Sequence, residues 1–159
     1  MLTLAAAELQ RLGLAEAGVD QYFSDRAAAE GRTLLALETV DQQLSFLAGL
    51  GAGQEDEFVA YSLAQMRLLP ELMSALKHAW RSGNAGALER IALEPLAADF
   101  PSAFHTLITA RNLRWKDRID ELLDTAETEF VLVGAAHLVG ELGLPALLRG
   151  VGYDVRAMR

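Results

Sequence analysis

No cysteine occurs among the 159 residues, which rules out disulfides, thiolate metal sites and a cysteine nucleophile, and fits a reducing or an oxidising compartment equally. Basic charge is scarce too. Against 22 Asp and Glu stand 14 Lys and Arg, a net charge of −8 with no basic cluster to interrupt it, so phosphate backbones are poor partners and no nucleic-acid role is expected. Nowhere do about 18 uncharged apolar residues run together, so no membrane-spanning helix is expected. The opening MLTLAAAELQRLGL has no basic leading segment and carries Glu8 and Arg11 within its apolar part, which reads as a soluble chain without a signal peptide. Low-complexity tracts and disordered tails are missing as well.

What remains is a chain 52% hydrophobic with a mean hydropathy of +0.17, long enough for one sizeable core and too short for two. A single domain over 1–159 is expected. Residues 2–12 and 18–29 have helical composition closed by Gly13 and Gly31, a helical lead-in spanning 1–31. TLLAL (33–37) is a short apolar run ending in Glu38, and Thr39 with Gln42 has the spacing of a capping box, so a strand, a turn and a helix start are predicted. The middle, 40–124, is helical, with breaks predicted at Pro70, at Ser82–Asn84, at Pro95 and before Pro101. From 129 to 158 the period changes. FVLV reads as a strand buried on both faces, GLPALLRG as a short helix and YDVRAM as a last strand, a βαβ tail with a right-handed crossover. The fold class predicted is α/β, a small, mainly parallel sheet of about three strands under many covering helices.

In open parallel sheets ligands gather beyond the carboxyl ends of the strands, where Glu38 and His137 would both lie. Imidazole and carboxylate are ligands for divalent metals and general bases. Each also has a plain structural reading: a strand-end histidine more often serves packing or faces solvent, and a carboxylate at Glu38 suits the N-terminus of the next helix. Gly134 offers a tight exit from its strand, and Ala135 and Ala136 leave room for a ligand or a second backbone. His78 suits a helix C-terminus and His105 follows Phe104 on a helix; neither has a carboxylate at ligand spacing. The segment from Pro101 to Leu123 carries an apolar stripe of Phe104, Ile108, Trp115, Ile119 and Leu122, and Arg111 falls inside it with Asn112 alongside. Two readings of Arg111 stand: a stem that snorkels to water, or a guanidinium paired internally, with Glu38 the obvious acceptor.

Taken together, GVDQYF, LETVDQQ, ARNLRW and GAAHLVG resemble the TraB/PrgY/GumN family, to which the Tiki metalloproteases are related, and specifically its C-terminal half. The resemblance implies half of a larger domain of that type, bacterial, and a metal-dependent hydrolase of peptide or amide bonds. It implies catalytic roles for Glu38, His137 and Arg111, substrate binding at Asn112 and Gly134, and metal ligation by His137 and Glu38, the ion being manganese, cobalt or zinc. The family carries a Gly-x-x-His motif in each half, and this chain has one, at Gly134–His137. The implied partners are therefore the N-terminal half or a second copy, and bacterial family members are often exported to the envelope. The alternative reading is a non-catalytic half-domain that binds a protein or a small ligand.

Overall fold

The computed structural model describes residues 7, 8, 10–13 and 18–158, and among them the only regular elements are helices. In chain order these are α1 (Val19–Ala29), α2 (Val40–Ala48), α3 (Glu55–Arg81), α4 (Ala85–Ala92), α5 (Glu94–Asp99), α6 (Pro101–Phe104), a π-helical turn (His105–Thr109), α7 (Ala110–Leu123), a 3-10 turn (Ala135–His137) and α8 (Leu144–Gly150). The helix expected at 2–12 falls largely outside the described residues.

The α/β class with its parallel sheet is thereby corrected: no strand exists among the described residues, and 33–37, 130–133 and 153–158 have no regular backbone pairing. A strand is made by its ladder, and a four- or five-residue apolar run does not encode one. These segments are held by side chains instead. Leu37 and Val133 pack on the core residues Trp115, Ile119 and Leu144, Phe130 lies against Phe23 at 4.7 Å between ring centroids, and the Tyr153 hydroxyl donates to Asp120 Oδ1 at 2.6 Å. The Val155 carbonyl accepts from the Arg149 guanidinium at 3.0 and 3.1 Å. FVLV is not buried on both faces either, since Phe130 and Val131 are exposed while only Leu132 and Val133 are half-buried.

Local chemistry places the helices well. Thr39 caps α2 through its side chain, accepting from the Gln42 amide at 3.2 Å, while the Gln42 side chain accepts from the Thr39 amide at 2.7 Å. Asn84 caps α4, accepting from the Ala87 amide, and prolines sit in the first turns of α5, α6 and α8, where a missing N–H costs nothing. Pro70 departs from expectation: α3 runs through it for 27 residues. One proline removes one helical hydrogen bond, a local loss of about 3 kcal/mol that a long helix packed along α4 absorbs.

Two apolar clusters result. One contains Leu93, Ile108 and Val139, the other Trp115, Ile119 and Leu144. The continuous run from Pro101 to Leu123 contributes to both, and Arg111 and Asn112 fall in the interval between Ile108 and Trp115. No helix among the described residues is long and apolar enough to cross a membrane.

Candidate functional site

The centre of the site is His137, 7% exposed, at the end of the 3-10 turn that Gly134 opens. Its Nδ1 lies 2.6 Å from Asn112 Oδ1. Asn112 is wholly buried, and its Nδ2 donates to the Leu142 carbonyl at 2.7 Å and more weakly to the His137 carbonyl at 3.4 Å. Two carbonyl acceptors on Nδ2 fix the amide orientation, so Oδ1 is the atom that faces the ring, and an oxygen acceptor requires a proton on Nδ1. The neutral imidazole then carries its lone pair on Nε2, to which no described residue bonds. Burial first, and then the nearby Arg111 charge, push the imidazole down to about 4 against the opposing charge of Glu38. His137 is uncharged at neutral pH.

Arg111 pairs with Glu38. The Nε donates to Oε2 at 3.1 Å, Nη2 donates to Oε1, and Nη1 donates to the Leu107 carbonyl at 3.3 Å, which occupies three of the five N–H groups. The side chains are 20% and 5% exposed respectively, so of the two readings of Arg111 the internal pair describes the structure. Both oxygens of Glu38 are engaged by this fork. As arranged, it is the counter-ion of Arg111 and neither a free base nor a free ligand.

Aromatic faces join the two halves of the site. Trp115 lies 4.4 Å from the His137 ring, Arg111 Cζ sits 4.6 Å over Trp115 and 5.8 Å from the Phe46 ring, and Arg114 Cζ lies 4.7 Å over the same Phe46 ring. Sequence reasoning passed over Phe46 and Arg114. The available signal was that Arg111 and Arg114 are three apart on one helix and so share a face.

The sequence-derived residues Glu38, Arg111, Asn112, Gly134 and His137 thus come together, while His78 and His105 are exposed and take no part. Gly134 has φ −60° and ψ 142°, open to any residue, and a Cβ there would meet only His137 Cδ2 at 3.9 Å. A side chain there would make only ordinary contact with the ring, so neither the turn nor the space requires glycine at this position. Among the described residues no three His, Asp or Glu side chains are grouped to hold a metal ion; the donor set is one imidazole Nε2, apt as a single ligand and incomplete as a cage.

A model of the TraB/PrgY/gumN family matches residues 1–157, essentially the whole chain, so the likeness is not confined to the motifs. The chain is 30% identical over 152 residues to "uncharacterized protein YbaP" of Escherichia coli (strain K12) and, with the same figures, to its counterpart in Shigella flexneri. Those matches cover 93% of this chain and 54% of each relative, so the chain spans about half the length of the curated relatives it matches. No solved structure matches it.

Proposed function

We propose a function that starts from one fact: the chain belongs to the TraB/PrgY/gumN family. On that footing it is part of a metal-dependent hydrolase of peptide or amide bonds, with His137 Nε2 as one of several ligands to a divalent ion. The observation that carries this reading is a neutral, oriented imidazole whose only unassigned nitrogen is a lone pair. A bound manganese, cobalt or zinc ion would polarise a carbonyl and acidify water. The chain's own residues do the rest of what can be derived. Asn112 holds the ring in one tautomer, as outer partners of metal-bound histidines do. Glu38 fixes Arg111, whose two remaining N–H groups would be available to negative charge developing on a substrate. Gly134 lies beside the ring without crowding it, and Asn112, being wholly buried, would act through the ring.

Calorimetry of the chain with manganese, cobalt and zinc tests this. Binding weaker than about micromolar, abolished in His137→Ala, is expected from a single imidazole with water filling the other positions. Failure of all three ions to bind at millimolar concentration, or binding unchanged in His137→Ala, would overturn it. Submicromolar binding would instead show a complete cage within the chain.

The second reading is a partner-dependent module. Its support is surface: the chain exposes 11112 Å², whereas a compact monomer of its mass exposes about 7,800 Å². Leu34, Leu35, Phe130 and Val131 are exposed on segments with no ladder. A second copy, or the additional half present in longer relatives, would cover them. Light scattering at micromolar concentration is expected to give a dimer or larger; a stable monomer would remove the second copy from the account.

A further inference from the structure

Away from the imidazole, a groove of about 650 Å³ opens over the first apolar cluster. Its floor is Leu93, Ile108 and Val139, and three carboxylates stand around it: Glu89 of α4, Glu94 of α5 and Glu141 of the loop before α8. No Lys or Arg lines it, and none of the three glutamates has an ion pair among the described residues. Gly140, at φ +80°, is required here: a Cβ would stand 2.6 Å from Glu89 Oε1, so the missing side chain is what lets that carboxylate lie against the groove wall.

We propose that this groove docks a peptide segment presenting a leucine-sized apolar side chain between Lys or Arg residues. An apolar floor gains from covering such a side chain, and uncompensated carboxylates in a concave site focus a negative field that attracts cations. The charge sits on three separate elements around one floor, which matches two or more cations flanking an apolar group. A polypeptide carries cations and an apolar side chain together, and a lone ammonium does not. The volume lies within the range of ligand sites, roughly 300–1,000 Å³. The inference is independent of any chemistry at His137, because it concerns binding alone.

The test is fluorescence anisotropy of the whole chain with a labelled acetyl-Lys-Leu-Lys amide at low salt. The double variant Glu94→Lys with Glu141→Lys, both at exposed positions, is expected to weaken binding about tenfold or more. Asp56→Lys with Glu57→Lys makes the same change of net charge at the start of α3 and is expected to leave binding within about twofold. The Glu-Leu-Glu and Lys-Gly-Lys counterparts should bind far more weakly. Amide shift changes in the wild-type chain should centre on Val139, Gly140 and Leu142, which checks the site without any variant. Equal weakening by both double variants, equal binding of Lys-Gly-Lys, competition by butylammonium at the peptide's own affinity, or shift changes elsewhere would each overturn the proposal.

Discussion

Replacing Arg111 by Ala would leave the Glu38 carboxylate without its fork in a place where its side chain is 5% exposed. A stranded buried charge costs about 3 kcal/mol, and the lost stacking on Trp115 adds to it. Glu38→Ala is asymmetric. The guanidinium left behind is 20% exposed, still donates to the Leu107 carbonyl and still lies over Trp115, so about 1.5 kcal/mol is expected. With both groups removed nothing is stranded, and the double variant should lose no more than Arg111→Ala alone, a coupling of at least about 1.5 kcal/mol. Urea melts of the four proteins at neutral pH, with a common slope, measure this directly. Losses that are small and strictly additive would refute the pair as an internal contact and return Arg111 to a snorkelling surface role.

Two further perturbations separate structure from chemistry at the same site. His137 is held near 4 when folded and near 6.5 when unfolded, so the unfolded chain takes up the proton first: the contribution is constant above about pH 6.5 and is lost as pH falls towards 4. Relative to His137→Gln, the wild type should lose about 2.5 kcal/mol between pH 7.5 and 4.5 in denaturant melts, and parallel pH profiles would contradict that. Gly143→Ala places a Cβ 2.6 Å from the Val139 carbonyl oxygen, backbone that cannot retreat, and should cost about 2–3 kcal/mol by thermal melting, while Gly134→Ala should be nearly neutral. Equal effects of the two would show that the turn at 139–143 is looser than described.

The parts of this chain that were legible in its sequence are those written in local chemistry. The Thr39–Gln42 box, the break at Ser82–Asn84 and the prolines opening α5, α6 and α8 each act within one turn, and each is where spacing put it. Arg111 was legible for a different reason: a charge inside an apolar stripe needs a partner, and Glu38 was the carboxylate at hand. What could not be read is pairing at a distance. TLLAL and FVLV have strand composition, but a ladder depends on what lies alongside, and here they lean side chains on Trp115 and Ile119 without one. The role of Asn112 was hidden similarly, since its amide works through the Leu142 carbonyl thirty residues on, which no spacing rule connects. Pro70 shows the converse, a strong local signal overridden by the helix around it.

The proposed chemistry rests on one atom, His137 Nε2, whose lone pair is left free because Nδ1 keeps its proton and donates it in a hydrogen bond to Asn112 Oδ1. Nitrogen-15 NMR of the metal-free chain, titrated from about pH 3.5 to 8, reads tautomer and protonation together. The result predicted is a protonated Nδ1 and bare Nε2 throughout the neutral range, with protonation at about 4. In Asn112→Ala the tautomer should become mixed. A proton on Nε2 at neutral pH, or an ordinary midpoint near 6.5, would contradict the account at its centre.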